Sequence, residues 1–267
     1  MRVFGYGAQT AGGTMEPVQF EREPLRPGEV AITITHCGVC HTDWHMVRND
    51  FKSSLFPIVP GHEITGVVTE VGAGVKKFAV GDRVGIGCMI NSCRQCEPCQ
   101  RGDEQYCEGA ISCTFTYNGT KVPTGKNTYG GYSTQIIVRE EFVVRIPAGL
   151  SNAEAAPLLC AGVTTYQPMK QFGLREGQTL GVAGFGGLGH IATQIGKAMG
   201  AKVIVFTTNA DKAADATKLG ADQVVSMDDA QTLQRLNSSL DLLLNTVPYP
   251  YDPTPYINLM KPNTTFV

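Results

Sequence analysis

Four cysteines carry the strongest chemical signal in the chain. Cys93, Cys96, Cys99 and Cys107 follow the pattern C-x2-C-x2-C-x7-C. Pairs separated by two residues on a tight loop can aim their sulfurs at one centre, and four thiolates suit tetrahedral zinc. The competing reading is an iron–sulfur cluster. A ferredoxin run also begins C-x2-C-x2-C, but it closes after three residues and is followed by proline; here seven residues intervene and Glu108 follows Cys107. With all four positions filled by protein, such a zinc has no open site and would pin the surrounding loop. A second group of titratable residues lies at Cys37-Gly38-Val39-Cys40-His41-Thr42-Asp43-Trp44-His45, with Gly61-His62-Glu63 after Pro60, and Cys160 far along the chain. Each of these is weak alone, because a lone buried cysteine is commonly an inert small hydrophobe. Spacing cannot show that they converge.

Gly184-Phe185-Gly186-Gly187-Leu188-Gly189 is the third signal. A strand is expected before it and a helix after it, the context in which G-x-G-x-x-G binds a dinucleotide pyrophosphate. The exposed N–H groups of the helix start would face the phosphates. About 20 residues further on, an NAD site carries an acid for the ribose 2′-OH. Thr207-Thr208-Asn209 stands there instead, with Lys212 close by and Asp211 as the nearest carboxylate. Hydroxyls, an amide and a cation favour the 2′-phosphate of NADP(H) over NAD.

The elements that must position these residues divide near residue 150. Before it the chain reads as β: Val30, Ile32 and Ile34 alternate with polar or small residues, and residues 64–71 and 132–138 read similarly. Turn signals such as Pro27-Gly28, Gly81-Asp82 and Gly130-Gly131 separate them. Ser151-Asn152-Ala153-Glu154 is a capping box, predicting a helix through Ala161 and beyond, irregular near Pro168. Strand and helix then alternate: strands at 179–183, 202–206, 224–225 and 240–244, helices over 187–199, 211–219 and 229–236, the first two ended by Gly200 and Gly220. This alternation implies βαβ units and a parallel sheet. The expected domains are 1–150 and 151–267. Four strands and a partial fifth at 264–267 fall short of the six of a complete dinucleotide fold. The sequence is therefore expected to be C-terminally incomplete, by at least ~30 residues.

Composition narrows the classes. The chain has 267 residues, 42% hydrophobic and 17% charged, enough for a core and too few charges for a disordered chain. Lys+Arg 22 against Asp+Glu 24 gives a net charge of −2, with no electrostatic footprint for nucleic acid or anionic lipid. No stretch approaches the ~20 apolar residues of a membrane span, and no secretory signal is visible at the N-terminus. A cytoplasmic location follows by default. Nine cysteines there, an odd count unevenly spread, point to metal ligands rather than disulfides.

Gly38-Val39-Cys40-His41-Thr42-Asp43, Pro60-Gly61-His62-Glu63, the four-cysteine loop and the 184–189 glycine loop occur in that order. Together they resemble the zinc-dependent medium-chain alcohol dehydrogenases. Leu158-Leu159-Cys160-Ala161-Gly162 and the glycine loop are especially similar to the cinnamyl-alcohol-dehydrogenase-like branch, which includes bacterial NADPH-dependent aldehyde reductases. The resemblance implies a partly open, GroES-like β-barrel catalytic domain followed by a Rossmann domain truncated within its fifth strand. It implies two Zn2+ per chain: a catalytic one held by Cys40, His62 and Cys160, with Glu63 able to alternate with water or substrate, and a structural one on the four cysteines. Asp43 would orient His62. Thr42 would contact the substrate oxygen, and His45 would be the outer member of a proton relay reached through the cofactor ribose. His41 would lie near the pyrophosphate, and Trp44 either lines the substrate pocket or packs. The implied activity is reversible hydride transfer between NADPH and an aldehyde to give a primary alcohol. Alternatives are an inactive truncated copy, a zinc-free quinone or enoyl reductase of the same fold, and a zinc-stabilised non-catalytic binding module. A homodimer is implied for the complete protein.

Overall fold

The computed structural model describes residues 1–119 and 126–267. The chain divides into two compact units, Met1–Cys160 and Ala161–Val267. The division thus falls after Cys160, and the capped segment at Ser151 belongs to the first unit. Among the described residues no helix is long and apolar enough to cross a membrane.

The first unit is antiparallel β. A hairpin of β1 (Arg2–Gly7) and β2 (Glu16–Glu21) opens it. The main sheet uses β3 (Glu29–Cys37), β4 (Ile64–Val71) and β5 (Arg83–Ile86), and a small ribbon joins β6 (Met89–Asn91) to β7 (Thr114–Phe115). With β8 (Gln135–Arg139) and β9 (Val144–Arg145), the main sheet has the order β8-β3-β4-β5-β9. Val30, Ile32, Ile64, Val68, Val84, Ile86 and Ile136 are fully buried on one core. Each such side chain contributes roughly 1.5–3 kcal/mol of burial. The expected strands at 30–34 and 64–71 are present; the third begins at Gln135, leaving Tyr132 in the loop before it.

The register of β3 against β4 juxtaposes two of the chemically loaded segments. Its last paired residues are Cys37 and Ile64, and the Gly38 N–H then donates to the Glu63 carbonyl at 2.9 Å. The segment after β3 therefore lies beside the segment before β4. The first enters helix α1 (His41–Arg48), capped at its end by Asn49 in the left-handed conformation. The four-cysteine segment holds a short helix, α2 (Glu97–Arg101).

The capping box forms as expected: the Ser151 hydroxyl accepts from the Glu154 N–H, and the Glu154 carboxylate accepts from the Ser151 N–H at 2.8 Å. The helix it starts does not run on through Ala161. α3 spans only Asn152–Ala155, a 3-10 turn follows at Ala156–Leu159, and Cys160 leaves helical geometry altogether. Pro157 has no N–H and its ring crowds the preceding turn, which is the physical reason for the break. Pro168, where an irregularity is expected, lies inside α4 (Ala161–Gln171), which continues past it.

The second unit is a five-stranded parallel sheet: β10 (Thr179–Ala183), β11 (Lys202–Thr207), β12 (Gln223–Ser226), β13 (Leu240–Asn245) and β14 (Met260–Phe266). Its order is β12-β11-β10-β13-β14. The first strand lies centrally and the chain reverses direction across the sheet between β12 and β13, the doubly wound arrangement. Helices α5 (Gly187–Ala198), α6 (Ala213–Lys218), α7 (Ala230–Arg235) and α8 (Thr254–Ile257) connect the strands. Leu180, Val182, Val203, Val205 and Leu242 bury one face and Ile204, Phe206, Leu240 and Leu243 the other. Strands covered on both faces read as nearly continuous apolar runs, and β10, β11 and β13 do.

Candidate metal centres and cofactor loop

Sulfur, imidazole and carboxylate groups from three distant segments meet in the first unit. Ligand atoms of Cys40, His62, Glu63 and Cys160 all lie within 4.8 Å of one another. The Cys37/Ile64 register brings Cys40 next to His62 and Glu63. Cys160 arrives by a separate route. Asn152 docks its segment on the sheet: its carbonyl accepts from Thr65 Oγ1 (2.9 Å), its Nδ2 donates to Thr35 Oγ1 (2.7 Å) and its Oδ1 accepts from Arg83 Nε (2.9 Å). The break after α3 then turns Cys160 inward. Its Sγ lies 3.9 Å from Cys40 Sγ and 3.3 Å from His62 Nε2.

Asp43 organises the His62 imidazole. Its Oδ1 lies 2.9 Å from His62 Nδ1 and accepts from the Gly61 N–H at 2.9 Å; its Oδ2 accepts from the Cys40 N–H at 3.1 Å. Burial opposes ionisation, but bonding to His62 and Gly61 holds the Asp43 carboxyl below the ordinary carboxylate range. Burial also works against a charged His62, yet Asp43 and Cys40 raise it to about 10. Hydrogen bonding from Cys160 pulls the Cys40 thiol down, and the same contact pushes Cys160 up. Burial, then the neighbouring Cys40, raises Glu63 to about 7. Two sulfurs and one imidazole at this spacing fit a zinc ion whose fourth position the Glu63 carboxylate or an exchangeable ligand can take.

A cavity of about 310 Å³ adjoins the cluster. Met46, Phe51, Phe115 and Tyr117 supply an apolar lining, and Thr42 and His62 also face it. A larger cavity of about 380 Å³ around Arg22 touches none of the cluster residues. Trp44 is not among the residues lining the cleft and is half exposed. His45 stacks on His41 with ring centroids 4.6 Å apart, and its Nδ1 lies 2.8 Å from Asp50 Oδ2. Asp50, Tyr117 and Tyr132 were not legible as site residues in the sequence; the tyrosines belong to no motif, and Asp50 lies beyond the Cys40–His45 run.

The four-cysteine loop closes on itself. Ligand atoms of Cys93, Cys96, Cys99 and Cys107 lie within 4.8 Å of one another. Cys93 Sγ accepts from the Cys96 N–H at 3.4 Å and Cys107 Sγ from the Cys93 N–H at 3.3 Å. Such donors are characteristic partners of thiolate rather than thiol sulfur. The set fits a four-coordinate zinc with no open position.

In the second unit, Gly184 makes the turn after β10 with φ +87, and a Cβ on Gly189 would stand 2.3 Å from the Gly184 carbonyl oxygen. Beside Gly186 and Gly187 a Cβ would meet nothing within 4 Å. That open cradle lies at the start of α5, where a pyrophosphate fits. Phe185 is buried, with its ring edge-on to His190 at 4.2 Å; Leu188 is the second residue of α5. At the end of β11, Thr207 Oγ1 accepts from the Asn209 N–H at 3.1 Å, while Thr208 and Asn209 are exposed. Lys212 Nζ donates to the Phe185 carbonyl at 3.1 Å, so this lysine ties the glycine loop to the segment after β11. Asp211 is exposed, and its N–H donates to Asn209 Oδ1 at 2.9 Å.

Comparison with known proteins agrees with this architecture. Residues 26–148 match the alcohol dehydrogenase GroES-like domain and residues 187–267 the zinc-binding dehydrogenase domain. The chain is 45% identical to a "Probable cinnamyl alcohol dehydrogenase 3" of Oryza sativa subsp. japonica, over 97% of this chain and 70% of that protein. Among solved structures it resembles a cinnamyl alcohol dehydrogenase of Sorghum bicolor (TM-score 0.95, 40% identity, 100% of this chain and 75% of that one). It also resembles that of Helicobacter pylori complexed with NADP(H) (TM-score 0.92, 37% identity, 100% and 75%). The chain belongs to the zinc-dependent medium-chain alcohol dehydrogenase family, in its cinnamyl-alcohol-dehydrogenase-like branch, and is an oxidoreductase with a GroES-like and a Rossmann domain.

Proposed function

We propose that this oxidoreductase reversibly transfers hydride between NADPH and an aldehyde, giving a primary alcohol, at the Cys40–His62–Cys160 site. The convergence of those three groups with Glu63 inside 4.8 Å, beside an apolar cleft, carries the reading. When bound, zinc supplies a Lewis acid for the carbonyl oxygen and NADPH supplies the hydride. Cys40, His62 and Cys160 would hold the ion, and Cys93, Cys96, Cys99 and Cys107 a second, structural one. With the ion bound, its charge would displace the protons of Cys40, Cys160 and His62, and two thiolates with a neutral imidazole would balance the double positive charge. Asp43 keeps the His62 ring in the orientation that turns Nε2 toward the sulfurs.

The alkoxide oxygen needs a proton once hydride has arrived at the carbon. Thr42 would exchange it; its side-chain bond to Cys40 and its position on the cleft support that role. His45 is the outer proton holder, with Asp50 fixing its Nδ1. His41 stacks on it and would lie toward the pyrophosphate. For the cofactor, the loop 184–189 would take the pyrophosphate, and Thr207, Thr208, Asn209 and Lys212 the 2′-phosphate. No carboxylate stands among residues 207–209 to repel that phosphate.

The test is metal content and turnover together. The purified chain is expected to bind zinc at both clusters, and His62→Ala to lose the catalytic zinc alone. NADPH oxidation by cinnamaldehyde is to be measured alongside. A chain that binds no zinc at the His62 cluster would sink the proposal.

A further inference from the structure

Resting on the reading of Cys40, His62 and Cys160 as a metal site, we infer that Tyr132 is a positioning residue for it. The Tyr132 hydroxyl locks Asp43, and Asp43 in turn locks the ring of His62. The Tyr132 hydroxyl donates to Asp43 Oδ2 at 3.0 Å. Oδ1 thereby holds His62 Nδ1 and the Gly61 N–H, and Oδ2 the Cys40 N–H and Tyr132, while the Tyr117 side chain also bonds the carboxylate. Asp43 is only 3% exposed, so water cannot take a lost partner's place. Removing the phenolic oxygen leaves Oδ2 with one bond fewer and the carboxylate held less tightly against rotation about its Cβ–Cγ bond. The His62 ring would follow it.

Tyr132 is built into the ligand-bearing turn. Gly130 N–H donates to the Val59 carbonyl (2.7 Å), Gly131 N–H to that of Gly61 (2.8 Å) and Tyr132 N–H to that of Pro60 (2.9 Å). Gly61 has φ +99, and a Cβ there would stand 2.7 Å from the Tyr132 nitrogen and 2.8 Å from its ring. Only glycine lets the turn carrying His62 and the loop carrying Tyr132 approach so closely. The Tyr132 carbonyl accepts from the Tyr6 N–H at 2.8 Å, which anchors the same loop to β1. Tyr132 does not line the cleft, whereas Tyr117 does, with its ring 5.9 Å from that of His62. The contribution of Tyr132 therefore runs through Asp43 and not through substrate.

The test uses the full zinc-loaded chain, with zinc release to a chromogenic chelator and the visible spectrum of the cobalt-substituted protein as readouts. Tyr132→Phe should speed release from the His62 site about fivefold, the size of one ordinary hydrogen bond, and shift the cobalt bands. Release from the four-cysteine site should stay unchanged. Adding Tyr132→Phe to Asp43→Asn should change nothing further. Tyr132→His, which keeps a ring donor, should retain zinc better than Tyr132→Phe. Unchanged release and spectrum, equal speeding at both sites, or additive effects in the double variant would each overturn the inference while leaving the metal-site reading intact. A wild-type chain with no zinc at His62 would overturn both.

Discussion

At the level of single side chains, the donors form two kinds of set. The four cysteines enclose their centre within one loop, while Cys40, His62, Glu63 and Cys160 leave room beside a cleft. The difference separates a closed structural position from one that can exchange a ligand. Lys212 is the residue whose role the structure sharpens most. The sequence suggested a cation for a 2′-phosphate; its Nζ in fact holds the Phe185 carbonyl of the glycine loop. The two roles have different consequences. If Lys212 reads the phosphate, Lys212→Ala should weaken NADPH binding about tenfold or more, as expected for a charge-assisted bond, and leave NADH almost unchanged. Isothermal titration with both cofactors decides it, because equal weakening would assign the lysine to the loop alone.

At the level of elements, the site depends on how strands end. β3 and β4 deliver Cys40 and His62 to the same edge because their register closes at Cys37 and Ile64. The frame behind them has its own charged anchor. Glu140, buried after β8, accepts from the Lys76 and Lys77 N–H groups at 3.0 and 2.8 Å, which ties β8 to the turn following β4. The Lys77 N–H is the main cause of its depressed carboxyl, with burial opposing and Lys76 adding. A carboxyl depressed in the folded state contributes stability above the ordinary glutamate value, ~4.3, and that stability is lost as pH falls through the lower folded value. Glu140→Gln is expected to cost about 1 kcal/mol at pH 7. The deficit should shrink toward pH 3, followed by urea midpoints across that range. The capping box shows the reach of local signals: Ser151 and Glu154 were legible, but Pro157 and the turn at Cys160 ended the helix early. That interruption is what lets Cys160 face the cluster.

For the whole molecule, the two candidate metal centres should behave independently. Cys107→Ser is expected to lose the loop zinc and lower Tm by about 5 °C or more, since structural zinc contributes folding energy directly. Cys40→Ser should lose the other zinc with a smaller change in Tm. Metal analysis and thermal melts on the same samples check both, and a larger fall for Cys40→Ser would reverse the assignment of roles.

Some of this was fully present in the chain order. The four-cysteine loop and the glycine loop are local, their donors lying within a few residues of one another, so spacing alone carries the chemistry. The parallel sheet was legible for the same reason: β10, β11 and β13 are short apolar runs, the first two preceded by the glycine turns at Gly177 and Gly200. The meeting of Cys40, His62 and Cys160 was not readable from spacing and rested on family resemblance, because a strand register and a docked Asn152 bridge the sequence gap. Tyr132 lay beyond even that reach. A phenol three residues ahead of a strand has no periodicity, and only the loop laced to residues 59–61 turns its hydroxyl toward Asp43. Hydrogen-bond geometry between distant segments exists only once the chain has closed, which is why the tertiary structure decided it.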